Sequence, residues 1–396
     1  MENENFIRVG TTLYKIVNQP HISGGFVKKR IVWNNETLRQ DYGKDFLATI
    51  PKYDGFCTVP NHVNYQPVVD KLLNLYEPIG HQPKEGEFPH VESLIIHIFG
   101  ERYELGMDYL QLLYLQPVQK LPILLMVSEE RNTGKSTFLN FLKAVFQNNV
   151  TFNTNEDFRS QFNADWAGKL LIVVDEVLLN RREDSERLKN LSTTLSYKVE
   201  AKGKDRDEIS FFAKFVLCSN NELLPVIIDV GETRYWVRKI ERLKSDDTDF
   251  LQKLKAEIPA FLYFLQHRTL STNKESRMWF APQLTFTPAL QRIIRSNRNK
   301  LELEMAELCL DIMEMNNVEE VSFCINDMMP LLSNTQCKYD KGQIRRIVQD
   351  IWKLTPVSNT LTYTTYQLSY NAPLYYSPIR RTGRFYTITK EQLLNF

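Results

Sequence analysis

Apolar and polar positions alternate differently in successive stretches of the chain. Up to about residue 90, β-branched and aromatic residues fall between the turn signals HISGG at 21–25, PKYDG at 51–55 and EPIGHQPKEGEFPH at 77–90. That pattern predicts small β-rich structure followed by a linker. Residues 91–116 place Leu94, His97 and Ile98, then Leu110, Leu113 and Tyr114, at helical spacing. Apolar bursts then recur at 123–127, 170–174 and 215–218, each ahead of a polar cluster, while Phe138, Phe141, Leu142, Val145 and Phe146 predict a helix between the first two. This alternation predicts an α/β sheet domain. A helical pattern returns at 247–268, and the polar stretch 271–300, with Pro282 and Pro288, can carry a domain boundary. Beyond it, helices are expected at about 299–315, 325–333 and 340–353, then strand-like runs at 361–370 and 384–390. The expected divisions are a β-rich region over 1–90, an α/β domain with helical flanks over 91–285 and a smaller domain over 286–396.

Composition narrows the partners. The 396 residues, 43% of them hydrophobic and 24% charged, can bury sizeable cores. A formal charge of +1 gives no global field toward nucleic acid or membrane, so any such role rests on local patches. Cys57, Cys218, Cys309, Cys324 and Cys337 are scattered and never in CxxC spacing, which argues against a disulfide framework or a zinc site and for a reducing cytoplasm. MENENFIRVG at the start has no basic region followed by an apolar stretch, and apolar runs such as 123–127 are far below spanning length. No membrane association is expected.

The strongest chemical signal is SEERNTGKST at 128–137, which follows an expected strand and opens an amphipathic helix, the context a phosphate-binding loop requires. Backbone N–H groups there cradle phosphates; Thr133, Gly134, Lys135, Ser136 and Thr137 are the candidate nucleotide-binding residues. Gly134 permits close backbone approach, Lys135 reaches the β- and γ-phosphates, and the Ser136 hydroxyl ligates Mg²⁺. A GK[ST] triplet alone is cheap, so its surroundings decide. Glu129 stands where GxxxxGK[ST] has its first glycine, with Glu130 next to it, and two carboxylates beside a triphosphate repel it unless they point outward.

Three further segments fit the same chemistry. KLLIVVDEV at 169–177 is a buried-strand run ending in Asp175, which suits the Mg²⁺ shell, and Glu176, which suits orienting or deprotonating a water. FAKFVLCSNNELLP at 212–225 ends a strand in Asn220 and Asn221, polar side chains of the kind that sense a γ-phosphate. In GETRYWVRKI at 231–240, Arg234 and Arg238 flank an apolar segment; an arginine offered by a neighbouring subunit is worth roughly 10³–10⁵ in rate where one is used.

Together, SEERNTGKSTFLNFLKAVF, FNADWAGKLLIVVDEV, VEAKGKDRDEISFFAKFVLCSNN and GETRYWVRKI resemble, in order, the superfamily 3 helicase core of bacteriophage and mobile-element primase-helicases. The resemblance covers about 118–245, and TTLYKIV and PKYDGFC resemble the region preceding the motor in those proteins. It implies an AAA+-like P-loop ATPase using ATP and Mg²⁺, assembling as a homo-hexamer and acting on single-stranded or forked DNA in a bacterial host's cytoplasm. Asp175 and Glu176 then serve metal and water, Asn220 is the expected sensor with Asn221 beside it, and either Arg234 or Arg238 is the finger. A DNA-gripping hairpin falls on 197–212, with Lys202 and Lys204 at its tip. The short N-terminal region shows no primase constellation, which implies a motor whose primase or polymerase comes from elsewhere.

Helices followed by a hairpin at the C-terminus have the order of a winged helix. Residues 338–396 hold nine basic and three acidic residues, a net +6, whereas 301–337 hold eight acidic and no basic one. Arg345 and Arg346 on the last expected helix and Arg380, Arg381 and Arg384 on the hairpin are the candidate DNA contacts. Two functions compete: a DNA-stimulated helicase or translocase, and a replication initiator or loader whose ATP site switches assembly with little unwinding. A small-molecule kinase is weaker, for want of an acceptor-site lid.

Overall fold

The computed structural model describes residues 5–20, 26–159, 166, 168–179, 181–199, 207–243, 247–297, 300–332, 340–369 and 375–395. The chain is mixed α/β and divides into two compact units, Met1–Ile293 and Ile294–Phe396.

The first unit begins with β1 (Phe6–Val9), β2 (Thr12–Pro20) and β3 (Phe26–Val32), an antiparallel meander whose turn at Gly10 has a positive φ of 58°. Helices α1 (Asn35–Tyr42) and α2 (Phe46–Thr49) follow; Asn34 caps α1 by accepting from the Glu36 N–H at 2.7 Å. Sequence pattern had not marked this helix, whose only buried residue is Leu38. Strand β4 (Lys52–Tyr53) returns parallel to β1, giving the order β3-β2-β1-β4 over a small core of Phe6, Leu13, Leu38 and Ile50. Short strands β5 (Gly55–Cys57), β6 (Val68–Val69) and β7 (Leu72–Asn74) form a second sheet. The 77–88 stretch is strapped down rather than a free linker: Gly80 N–H donates to Gln147 Oε1 and Lys84 N–H to the Pro259 carbonyl.

Helices α3 (Pro89–Phe99) and α4 (Tyr103–Leu115) split the single helical stretch expected over 91–116. The break falls at Gly100, φ 49°, where a Cβ would lie 3.1 Å from the Arg238 guanidinium. The main sheet comprises β8 (Ile123–Val127), β9 (Val150–Phe152), β10 (Leu171–Val174), β13 (Lys214–Ser219) and β14 (Tyr235–Lys239). Between them come α5 (Lys135–Phe146), α6 (Asn155–Arg159), α7 (Arg182–Thr193) and the antiparallel pair β11 (Ser196–Val199) and β12 (Asp207–Ser210). Among the described residues every pairing in this sheet is parallel, in the order β14-β8-β13-β10-β9. Strands β8, β10 and β13 are buried along their whole length, which is why β8, β10 and the middle of β13, between buried Lys214 and Ser219, read as apolar runs and not as alternating ones. Helix α8 (Phe250–His267) packs on α3 and α5, and α9 (Pro282–Thr285) and α10 (Pro288–Ser296) complete the run.

The second unit contains α11 (Lys300–Asn316), β15 (Glu320–Phe323), α12 (Ile325–Leu332), α13 (Lys341–Arg346), a π-turn at Ile347–Ile351, β16 (Leu361–Ser369), β17 (Tyr375–Gly383), β18 (Tyr386–Thr389) and α14 (Lys390–Asn395). Asp340 and Gln343 form a capping box on α13. The hairpin differs from the expected one: 361–369 pairs with 375–383, while the 386–389 run pairs antiparallel with β15. That pairing lets Val321, Phe323, Tyr386 and Ile388 bury against the α11 and α13 core.

Candidate functional site

The order of the main sheet creates one crevice before any side chain is considered. Strand β8 leads through α5 to β9 at one edge, whereas its neighbour β13 leads the opposite way to β14 at the other. Connections leaving adjacent parallel strands in opposite directions open a crevice at their carboxyl ends, where open α/β sheets take ligands. The 128–134 turn and Ser219–Asn220–Asn221 stand at those two ends.

Three strand ends are knitted together there. Ser128 N–H donates to the Ser219 carbonyl at 3.1 Å, Val177 N–H to the Cys218 carbonyl at 2.7 Å, and Ser219 Oγ to the Val177 carbonyl at 2.9 Å. In the turn, Asn132 and Gly134 take left-handed conformations, φ 55° and 79°, and Gly134 caps α5. Glu129 is not among the left-handed residues, so the missing glycine at 129 costs no backbone strain; its side chain and that of Glu130 are exposed.

Lys135 is buried at 5% exposure, with Nζ donating to Thr133 Oγ1 at 3.0 Å. Burial pulls its pKa down, opposed by Cys218, Asp175 and Glu222. Ser136, exposed on the first turn of α5, donates from Oγ to Asp175 Oδ2 at 2.8 Å. Thr137 is half-buried beside it. Glu176 has φ 61°, unusual for a residue with a β-carbon, and its turn is braced by Asn155, which donates to the Glu176 carbonyl at 3.2 Å and accepts from Leu178 N–H at 2.9 Å. Asn221 Oδ1 accepts from the N–H groups of Leu223 and Leu224 at 2.9 and 2.8 Å, an Asx-turn that occupies it; Asn220 is exposed with no side-chain hydrogen bond among the described residues.

The two arginines separate. Arg234 precedes β14, with its carbonyl accepting from Ile123 N–H, so it sits at the amino end of the sheet, the end remote from the crevice. Its guanidinium donates to Glu232 at 2.6 Å and keeps a side-chain exposure of 27%. Arg238 lies within β14, 10% exposed, donating to Glu101 at 2.6 Å and to the Ile98 carbonyl at 3.3 Å. The expected hairpin flanks are present as β11 and β12, with Lys198 opposite Glu208 in the register; Lys202 and Lys204 lie outside the described residues. In the second unit Arg345, Arg346, Arg380 and Arg384 are exposed. Arg381 is bound instead to buried Asp327 at 2.6 Å, which also accepts from Tyr363 OH at 2.6 Å and Cys324 N–H at 2.8 Å.

Motif reading missed three neighbours of the crevice. His97 on α3 lies with Nε2 3.0 Å from the Thr133 carbonyl, bracing the turn from outside. Glu222 holds the Glu129 N–H at 3.2 Å and Lys239 at 3.2 Å. Asn155 braces Glu176 as described. His97 and Asn155 lie outside the four segments, and Glu222, although next to Asn221 in the third, carries no signal of its own; only the packing brings them in.

A family model described as a family of unknown function, DUF5906, matches residues 126–238, from the end of β8 to Arg238. No curated protein matches the chain. Among solved structures, the apo structure of the NrS-1 C terminal region (305-718) superposes with a TM-score of 0.65 at 15% identity, covering 96% of this chain and 95% of that one. The A form apo structure of the same region matches with a TM-score of 0.56 at 17% identity over 89% and 84% of the two chains. At such identity the likeness is one of fold, and it spans nearly the whole chain.

Proposed function

We propose that this protein is an ATP-driven DNA helicase or translocase acting in the replication of a bacteriophage or mobile genetic element. The observation that carries the reading is the Ser136 to Asp175 hydrogen bond of 2.8 Å beside buried Lys135, at the crevice between β8 and β13. A hydroxyl and a carboxylate are hard oxygen donors, and Mg²⁺ takes one or two such groups together with substrate phosphates. In this reading the 128–134 turn is a P-loop: its N–H groups and Lys135 would hold the triphosphate, Ser136 and Asp175 would hold Mg²⁺, whose contribution when bound would be to neutralise phosphate charge, and Thr133 and Thr137 would flank it. Glu176 orients the attacking water and takes its proton, and Asn220 faces the γ-phosphate.

Arg234 supports assembly. Five strand residues at about 3.3 Å each put it roughly 16 Å from its own crevice, too far to act in cis and suitably placed to serve a neighbouring subunit of a homo-hexamer. The order of helices and strands in 300–395, with exposed Arg345, Arg346, Arg380 and Arg384, supports a winged-helix DNA-binding role for the second unit.

The test is ATP hydrolysis with and without single-stranded DNA. Turnover stimulated by DNA, abolished by Lys135→Ala and by Glu176→Gln while DNA binding persists, is expected. Turnover unchanged in Lys135→Ala sinks the assignment; nucleotide-dependent assembly on DNA without strand displacement replaces the motor with an initiator or loader.

A further inference from the structure

From Phe6 to Trp33 the chain carries five basic residues, Arg8, Lys15, Lys28, Lys29 and Arg30, and no acidic one, in a protein of formal charge +1. Three of them stand consecutively on β3, the outer strand of its sheet. Register sets Lys28 opposite Asn18, Lys29 opposite Val17 and Arg30 opposite Ile16. Since successive strand residues point to opposite faces, Lys28 and Arg30 share one face of the β2–β3 ribbon and Lys29 takes the other, as does Lys15, two positions along β2 from Val17. Residues 28–32 are all exposed, Ile31 at 44% and Val32 at 67%, as are Asn18, Gln19 and Pro20 on β2, whereas Tyr14, Lys15, Ile16 and Val17 are half-buried; the outer strand and the far end of the ribbon therefore stand clear of the unit. Among the described residues none of the five cations is ion-paired.

Charge on an edge strand has a bland use, since it blunts edge-to-edge pairing. Either sign serves that purpose, and it requires nothing of Arg8, exposed on the interior strand β1. A run of one sign across three strands and on both faces suits a polyanion that offers charge on two sides. The major groove of duplex DNA, about 12 Å wide, admits a two-stranded ribbon between two phosphate walls. Lys28 and Arg30, two residues apart, are separated by about 6.7 Å, close to two base-pair rises of one strand. Single strands fit less well, because they are gripped by stacking on exposed rings. Residues 28–32 contain no aromatic, and neighbouring Tyr14 and Trp33 are half-buried, Trp33 lying beneath Lys15 Nζ at 4.4 Å.

We propose that the β2–β3 ribbon is a binding site for duplex DNA that enters the major groove through Lys28, Lys29 and Arg30. The choice of DNA as the polyanion rests on the function proposed above; the charge and geometry of the ribbon do not.

The experiment is a salt titration of the full chain binding a fluorescent blunt duplex, and separately a single strand, for wild type, Lys28→Glu/Lys29→Glu/Arg30→Glu and Lys28→Gln/Lys29→Gln/Arg30→Gln. The Glu variant keeps a charged edge and the Gln variant keeps polar bulk, so either one alone suffices if the other fails to fold. Expected is a fall of about 2–3 in the slope of log K against log salt for the duplex, with affinity down at least tenfold and DNA-free ATPase unchanged. Wild-type affinity and slope in both variants overturn the proposal, as does a loss confined to the single strand, or a wild type that binds no duplex. DNA-stimulated ATPase with ribbon variants that bind duplex normally sinks the ribbon and leaves the motor. A chain without ATPase whose ribbon variants lose duplex sinks the motor and leaves the ribbon.

Discussion

Ser136 Oγ donates to Asp175 Oδ2 at 2.8 Å, joining the first turn of α5 to the end of β10 across 39 residues of chain. Both side chains are exposed to the crevice, so the bond contributes little to stability, about 0.5–1 kcal/mol. In the proposed site its value would be to hold two oxygens together for a metal. Ser136→Ala is therefore expected to leave the thermal midpoint within a few degrees and to lower ATP turnover on the order of 100-fold. A Ser136→Ala variant with wild-type turnover across Mg²⁺ concentrations overturns this metal assignment.

Arg238 and Arg234 should behave oppositely. Arg238→Ala removes a buried guanidinium bound to Glu101 and Ile98 and is expected to destabilise by about 1–3 kcal/mol. Arg234→Ala should still fold, because Lys189 Nζ remains 3.9 Å from the Glu232 carboxylate that Arg234 leaves behind. Titrated into wild type, it should depress ATPase more steeply than its mole fraction, because each subunit would complete its neighbour's site. Proportional loss would show that Arg234 acts within its own chain or not at all.

His62 gives the fold a calculable response to acid. Its Nδ1 lies 2.8 Å from the Tyr114 carbonyl and its Nε2 2.5 Å from the Tyr76 hydroxyl, which fits a neutral ring donating from Nδ1 and accepting at Nε2. Burial pulls its pKa down to about 4, against the Tyr114 carbonyl, which acts the other way. The folded pKa lies below the unfolded value of about 6.5, so unfolding takes up a proton between the two. Stability from this group is full above about pH 6.5 and lost as pH falls toward 4, on the order of 2–3 kcal/mol. The stability deficit of His62→Gln relative to wild type, from urea unfolding, should shrink between pH 7 and 4.5; a constant deficit refutes this.

Arg381 is separated from the other C-terminal cations by its partner. Arg381→Ala leaves the Asp327 carboxylate buried without its counter-ion and should cost about 3 kcal/mol. Arg380→Ala and Arg384→Ala are expected to leave stability unchanged and to weaken DNA binding, each lowering the salt slope by about 0.9. Equal stability in all three variants contradicts the anchoring role of Arg381.

Much of this was legible along the chain. Parallel strands covered on both faces are apolar through their middles, so β8, β10 and β13 announced themselves as short runs, β13 holding its buried Lys214 and Ser219 at its two ends, and the amphipathic period of α5 placed the 128–137 segment at a strand-to-helix junction. The sequence also placed Lys135, Ser136, Asp175 and Asn220 just beyond the ends of such strands, and the structure brings those strand ends to one crevice. Tertiary structure alone decided the strand order that opens the crevice, the partnering of β18 with β15, and the fate of individual charges. Local pattern records whether a position is apolar; it does not record that Glu101 lies beside Arg238, Asp327 beside Arg381, or His97 beside Thr133. Those pairs join residues far apart in sequence, and which charge is spent on packing and which stays free depends on where the backbone brings a partner within hydrogen-bond reach.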